Sequence, residues 1–528
     1  MTPRARSGAR WLVAGLSAVA LSASLIAPVQ ATPTDGLAEF YGQSPTWAPC
    51  DTKGELAKLD CATIAVPLNY RAPDQERISV TISRLKAKDA SKRRGVLLLN
   101  PGGPGGDGIG MPAYLAAQRV SQNYDLIGFD PRGVGRSTPL NCEVSPFPEG
   151  LSTRPADSEF PKWTEMARAN EEGCANAAGG IRPYINTPNT ARDMDVIRGV
   201  LGEKKINYLG YSYGTYLGAV YGSLFPAYLD RNVLDSSVHP EWLWREQFKQ
   251  QAVGALENVT AWSGWAAQYD ARYHLGTTQD AVLATLNSVA LKLRERKVDD
   301  GSGFDAAIGS YTRYREAWLE VADLVVKRKA EVDGAAPANA DAIEAQRLMA
   351  QLGIPQLANG VFETVTCEAD WPRDLNAYYA DMRQYRQTYP WGFGVLRAAP
   401  WNCAFRSFTP ADPLTNLERK GYPTGLVIQA ENDAQTQYDG GPAMARRLND
   451  NLVSVADDGT HGMYAYNKCA SDIIDRYLID GVLPGSSTVC TSIPRPTPPA
   501  QTQQQSSLTE RVTKINEQRR SASPIPQS

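Results

Sequence analysis

Ser212 stands at the centre of Gly-Tyr-Ser-Tyr-Gly, residues 210–214. A serine hydroxyl is a poor nucleophile at neutral pH, so it needs a base within hydrogen-bond reach and a third group to orient that base. The chain has three histidines. His239 follows directly on an apolar run and His274 falls in a helix-rich stretch, whereas His461 lies in Gly-Thr-His-Gly after the last apolar strand-like run. His461 is therefore expected to act as general base and then general acid. The orienting acid should follow the preceding strand, where GLVIQAENDAQT offers Glu431 and Asp433, with Asp439 further on. Asp433, on the loop beyond the strand end, is the expected partner and Glu431 the runner-up. Its task is to hold the imidazole tautomer and stabilise the imidazolium without taking the proton. Tetrahedral oxyanions need backbone donors. The N–H of Tyr213 should supply one, and Gly102 or Gly103 in NPGGPGG, residues 100–106, the other.

These residues have to be delivered by particular elements. KKINYLG before Ser212 reads as a buried strand, and TYLGAVYGSLFP behind it places Leu217, Tyr221 and Leu224 on one helical face. GVLLLN, YDLIGFD and NVLDSS are further apolar strands separated by helical segments, a pattern that predicts a parallel sheet covered on both faces. CATIAVPLNY and RISVTISRLKA alternate and predict an antiparallel edge. Eight of the eleven tryptophans lie between Trp242 and Trp401, a stretch with little strand pattern and several amphipathic helices, one carrying Val282, Leu286, Val289 and Leu293. Strand character returns at GLVIQA and LVSVA. The expected architecture is α/β: a doubly wound, mostly parallel sheet formed by residues 47–240 and 406–493, with a mainly helical cap, residues 241–405, inserted into it.

Arg4, Arg6 and Arg10 precede an apolar stretch from Trp11 to Ala27, and Val29 with Ala31 supplies the small residues of a cleavage site. Residues 1–31 are thus expected to be a secretory signal peptide, which implies a secreted protein without stable membrane association after cleavage. Residues 32–46 are a candidate propeptide or flexible N-terminus. Residues 494–528, dominated by Pro, Gln, Ser and Thr, read as a disordered polar tail. Eight cysteines downstream of the signal support export to an oxidising compartment. Nearest-neighbour spacing suggests Cys50 with Cys61, Cys142 with Cys174, Cys367 with Cys403, and Cys469 with Cys490.

A net charge of −3 without a polybasic run argues against a nucleic-acid partner. No dense set of metal-ligating residues is present, so neither a metal nor another cofactor is expected. Gly103, Gly105 and Gly108 with Asp130 about twenty residues on mimic a dinucleotide fingerprint, but Pro104 interrupts it and the oxyanion reading uses the same glycines.

Taken together, NPGGPGG, GFDPRGVGRS (128–137), the block TPNTARDMDVIRGVLGEKKINYLGYSYGTYLGAVYGSLFP, QAENDAQT and GTHG closely resemble secreted bacterial tripeptidyl aminopeptidases. These are α/β-hydrolase serine exopeptidases related to prolyl iminopeptidases. The resemblance covers about residues 47–490 and implies an α/β-hydrolase fold, a Ser212, Asp433, His461 triad, and release of tripeptides from peptides with a free N-terminus. Relatives with single-residue specificity carry histidine where Asn100 stands. Similar enzymes often read Cys-x-Asp near Cys367, whereas this chain has Cys367, Glu368, Ala369, Asp370. An exopeptidase needs a carboxylate to hold the substrate ammonium at a fixed distance from the nucleophile, and Glu363, Glu368 and Asp370 are the cap candidates. Alternatives are a prolyl iminopeptidase-like enzyme, a secreted carboxylesterase with the same triad, and a non-catalytic binding protein of this fold.

Overall fold

The protein is described by a computed structural model over residues 36–144, 151–296, 300–351, 359–499 and 506–522. The expected signal peptide, residues 1–31, lies outside the described residues. Ten strands form one sheet: β1 (Ala48–Pro49), β2 (Asp60–Pro67), β3 (Arg77–Leu85), β4 (Val96–Asn100), β5 (Asp125–Asp130), β6 (Ile206–Tyr211), β7 (Leu229–Asp235), β8 (Leu426–Ala430), β9 (Asn451–Ala456) and β10 (Ser487–Thr491). Their order across the sheet is β1-β2-β3-β5-β4-β6-β7-β8-β9-β10. Pairings from β1 to β5 are antiparallel and every pairing from β5 to β10 is parallel.

The continuous apolar runs β4, β6 and β8 are buried along their whole length because helices cover both faces of the sheet. Successive side chains alternate between two cores. Leu98, Ile127, Tyr208 and Leu234 meet Ile197 and Leu217 on one face, while Leu97, Leu126, Leu209 and Val233 meet Ile474 and Leu478 on the other. Chain order reverses around β4, whose neighbours β5 and β6 lie on opposite sides. The loops leaving β4 and β6 therefore flank a switch point, where α/β sheets open a crevice.

Among the described residues, every regular element between β7 and β8 is a helix. The stripe Val282, Leu286, Val289, Leu293 is fully buried, together with Trp262, Trp265 and Trp318, in a core of its own. Most of the tryptophan enrichment is thus packing. This cap also rests on a helix from before β6, Phe160–Ala178, whose Phe160 and Trp163 pack with Met382 and Val395.

The four disulfides are Cys50–Cys61, Cys142–Cys174, Cys367–Cys403 and Cys469–Cys490. They suit an oxidising compartment. Among the described residues no helix is long and apolar enough to cross a membrane.

Two expectations are corrected. Within the candidate flexible segment 32–46, residues from 36 onward are docked: Phe40 is buried in the sheet core, and Tyr41 donates to Asp195 at 2.6 Å. The tail is not wholly disordered either. Residues 494–499 run along the cap, where Trp265 donates to the Pro496 carbonyl at 2.9 Å. Leu508–Ala522 then forms a helix whose Leu508 and Val512 enter the cap core. The Asp341 carboxylate caps its start by accepting from the N–H groups of Leu508 and Thr509. The polar average of the tail conceals the spacing Leu508, Val512, Ile515, which is one helical face.

Candidate active site

Ser212 sits between β6 and the helix Tyr213–Leu224 with φ of 56° and ψ of −127°. Positive φ is costly for a residue with a Cβ and is held only where the surroundings fix it. Here they do so by crowding. A Cβ on Gly210 would stand 2.5 Å from the Gly214 carbonyl oxygen, and one on Gly214 2.8 Å from Asn100 Oδ1. The Ser212 N–H donates to the Asp235 carbonyl at 3.0 Å, and Tyr208 Oη donates to the Gly214 carbonyl at 2.8 Å. The hydroxyl is thereby presented at the strand end.

His461 Nδ1 lies 2.7 Å from Asp433 Oδ2, with both side chains buried. Asp433 is itself held from several directions: Oδ1 accepts from Gln435 N at 2.8 Å and Thr436 N at 3.2 Å, and Oδ2 accepts from Thr436 Oγ1 at 2.9 Å. Such a carboxylate fixes the ring with Nδ1 protonated and leaves Nε2 as the basic nitrogen. His461 Nε2 is buried and has no hydrogen-bond partner among the described residues. No bond to Ser212 is formed, as is common before substrate closes such a site. Glu431 lies elsewhere, accepting from the Asp457 N–H at 3.0 Å.

Sequence reasoning missed the group that fixes the histidine loop. The Asp235 carboxylate at the end of β7 accepts from Met463 N at 3.0 Å and Tyr464 N at 2.7 Å, while Ser236 Oγ accepts from Gly462 N at 2.8 Å. Asp235 thus touches both halves of the site, the elbow through its carbonyl and the base loop through its carboxylate. Burial pushes that carboxyl up to about 6, and its backbone donors and the nearby His461 pull the other way. The available signal was an ionisable residue ending an apolar strand beside the nucleophile strand.

The two candidate glycines differ in what their N–H groups meet. Gly102 N–H donates to Asn100 Oδ1 at 2.9 Å and is occupied. Gly103 N–H has no acceptor among the described residues, and Tyr213 N–H opens its helix outside the intrahelical ladder. These two amides are the free donors beside Ser212. Gly102 still has a steric role, since its φ is +91° and a Cβ there would meet Tyr211 O at 2.5 Å, Ser212 Cβ at 2.9 Å and Tyr213 N at 3.1 Å. Gly102→Ala is expected to lower kcat by about 100-fold while leaving KM within a few-fold, the cost of one misplaced oxyanion donor. Steady-state kinetics on a chromogenic substrate checks this.

The three ammonium candidates separate. Asp370 is fully exposed and, among the described residues, reaches only Arg406, at 3.9 Å. Glu368 is buried with both oxygens engaged by Thr187, from N at 2.9 Å and from Oγ1 at 2.8 Å. Thr187 Oγ1 in turn lies 2.8 Å from Tyr213 Oη. Glu363 is buried with Oε2 unpartnered among the described residues. Its helix, Val361–Val365, packs on the glycine loop. A Cβ on Gly105 would meet Val361 Cβ at 3.2 Å, and Asn359 Nδ2 donates to the Gly105 carbonyl at 2.8 Å. Burial raises the Glu363 carboxyl to about 7.

The remaining motif residues are architectural. Asp130 accepts from Gly108 N, Ile109 N and Arg136 N, which ties two loops together. Arg132, fully buried, pairs with Asp193 at 2.6 Å. Among the described residues no group of three or more His, Cys, Asp or Glu could hold a metal ion.

Residues 390–490 match a protein family described as TAP-like protein. The chain is 35% identical to a tripeptidyl aminopeptidase of Streptomyces coelicolor, over 85% of this chain and 87% of that one. It is 26% identical to the serine protease Hip1 of Mycobacterium tuberculosis, over 85% and 91%. A carboxylesterase B of Mycobacterium tuberculosis is 30% identical, over 91% and 99%.

Proposed function

Because the chain belongs to the tripeptidyl aminopeptidase family of α/β-hydrolase serine peptidases, we propose that it is a secreted exopeptidase that releases tripeptides from the free N-termini of peptides. Ser212 Oγ attacks the scissile carbonyl as His461 Nε2 takes its proton, and the oxyanion is held by the N–H groups of Tyr213 and Gly103. His461 then protonates the leaving amine. Water, deprotonated by the same nitrogen, hydrolyses the acyl-enzyme and frees the tripeptide. Asp433 keeps the ring in register and offsets its charge.

The observation that carries the exopeptidase reading is Glu363, a buried carboxyl with an unpartnered oxygen on a helix packed against the glycine loop. An esterase acting on a neutral acyl group needs no ammonium anchor. A substrate ammonium would add to the pull of Arg182, which alone does not offset burial, and shift the carboxyl to its ionised form.

The test compares a free-amine tripeptide anilide, its N-acetylated twin and a proline anilide, with Ser212→Ala as control. Cleavage of the free tripeptide alone is expected. Equal cleavage of the acetylated twin would overturn the assignment, and cleavage of the proline anilide alone would point to the iminopeptidase-like activity. The pH profile adds a sign. Glu363 is neutral below its raised value of about 7, so KM for the free tripeptide rises by about tenfold per pH unit below that point, until the anchor contributes nothing. Glu363→Gln should show a raised, pH-flat KM across the same range. A carboxylesterase is the second reading, favoured by the relative that carries that name. Hydrolysis of short acyl esters with all three anilides untouched would select it.

A further inference from the structure

The cap meets both halves of the oxyanion site through one short stretch of chain. In the loop that carries Gly103, the Gly105 carbonyl accepts from Asn359 Nδ2 at 2.8 Å, and Val361 fills the space beside Gly105. Further along, the same stretch reaches Glu368, at the end of the turn Thr366–Glu368. The Glu368 carboxylate accepts from Thr187 N at 2.9 Å and from Thr187 Oγ1 at 2.8 Å. Having given its hydrogen to Glu368, the threonine hydroxyl is left as an acceptor, and Tyr213 Oη stands 2.8 Å from it. Tyr213 carries one of the two free N–H groups beside Ser212.

Both ends of this stretch are pinned. Gly360, with φ of +76°, lies against Cys142 so closely that a Cβ has no room, and Cys142 is bonded to Cys174. At the other end Cys367, next to Glu368, is bonded to Cys403. The receiving side is fixed as well. Thr187 opens the helix Thr187–Val200, so its N–H has no intrahelical acceptor and Glu368 supplies one. Tyr213 is buried, its ring packed on Trp244 with centroids 5.7 Å apart and its hydroxyl held by Thr187. Trp244 immediately precedes the cap helix Arg245–Gln268. Among the described residues Glu368 forms no ion pair, so charge pairing does not account for an acid buried there.

The direction of the Tyr213 N–H is set by the peptide plane between Ser212 and Tyr213, at a point where Ser212 holds φ of 56° and ψ of −127°. A backbone held away from its relaxed conformation keeps its shape only where its neighbours fix it. We propose that Glu368 is a positioning residue for oxyanion stabilisation: from the cap, through Thr187, it fixes Tyr213 so that its N–H points at the developing oxyanion. With both oxygens taken by Thr187, Glu368 is not the ligand of a substrate ammonium. Acyl transfer needs an aligned donor whether a peptide or an ester is cut, so this role does not rest on the exopeptidase reading.

The test reads Ser212 with two probes that carry no amine, a fluorophosphonate and n-butylboronic acid, beside kcat and KM for the free-amine tripeptide anilide. In Glu368→Ala the labelling rate, the affinity for the boronic acid and kcat are each expected to fall by about 30-fold, with KM changed only a few-fold; loss of a whole oxyanion donor costs about 100-fold or more. Glu368→Gln keeps an acceptor for the Thr187 N–H and should recover all but about threefold. Thr187→Val cuts the link at its middle. It should match Glu368→Ala, and the double variant should be no worse than either, because one link is broken only once. A loosened fold would lower Tm and multiply the two losses instead. If Glu368→Ala does not fold, Tyr213→Phe removes the last hydroxyl of the link and reads it from the core side. Unchanged labelling in a folded Glu368→Ala, or losses that multiply in the double variant, overturns the positioning role. A rise in KM confined to the free-amine anilide, with labelling intact, overturns it too and makes Glu368 an ammonium ligand. If no anilide is cleaved, the exopeptidase reading falls, while the two amine-free probes still decide the role of Glu368.

Discussion

Ser212→Ala is expected to lower kcat by about 10⁵ to 10⁶, and Asp433→Asn by about 10⁴, with KM changed only a few-fold in either variant. The serine supplies the bond-forming oxygen, and without it only water and the oxyanion donors remain. The aspartate effect has a different origin. Asp433 Oδ2 accepts from His461 Nδ1 at 2.7 Å, which forces the proton onto that nitrogen and leaves Nε2 basic. An asparagine can offer its amide N–H instead, and the ring then presents the wrong nitrogen to Ser212. Thr436, which donates to the same carboxylate oxygen at 2.9 Å and lies 3.3 Å from His461 Nδ1, remains as an imperfect substitute. Labelling by a fluorophosphonate probe distinguishes the two: absent in Ser212→Ala, slow but complete in Asp433→Asn.

Asp235→Ala should cost about 10³ in kcat, although the residue touches no substrate. Its carboxylate satisfies the N–H groups of Met463 and Tyr464, immediately beyond His461. Leaving both unpaired in a buried site costs about 2–6 kcal/mol, enough to displace the loop that aims the imidazole. Asp235→Asn keeps an acceptor and loses the charge. It should fall only about tenfold, reporting the electrostatic support given to the imidazolium. The same pair predicts a stability signature. Because the folded carboxyl is raised to about 6 from its ordinary 3.8, the native state retains a proton that the unfolded chain gives up. The wild type therefore loses stability relative to Asp235→Asn as pH rises from about 4 to about 6, with a constant difference above that window. Tm measured for both proteins across pH 3.5 to 8 reads the sign directly.

The parallel strands and the elbow are legible in the sequence because each depends on neighbours close in the chain. GVLLLN is apolar throughout since both of its faces are covered, and Gly210 and Gly214 bracket Ser212 within one turn. β10, STVCT, gives no such signal, because an edge strand needs only Cys490 inside. The C-terminal helix carries one apolar row in a polar segment, and that row has meaning only beside Tyr311 and Met349, more than 150 residues earlier. Asp235 reads as the end of a strand until the loop 228 residues later arrives to donate to it. The split among Glu363, Glu368 and Asp370 likewise depends on Thr187 and on the glycine loop, whose approach no local pattern announces.

The helix Leu508–Ala522 has a consequence for what the site depends on. Arg519 stands against Thr460, the residue before His461, and against Tyr466 just beyond it, and it is tied through Glu316 to the cap. The brace on the histidine loop is thus supplied from outside the sheet, by a helix seated in the cap core through Leu508 and Val512. Loss of that helix would spare the sheet, the elbow and the acid loop and still strip the support from His461. The cap is in this sense a foundation for the histidine as well as a roof over the crevice.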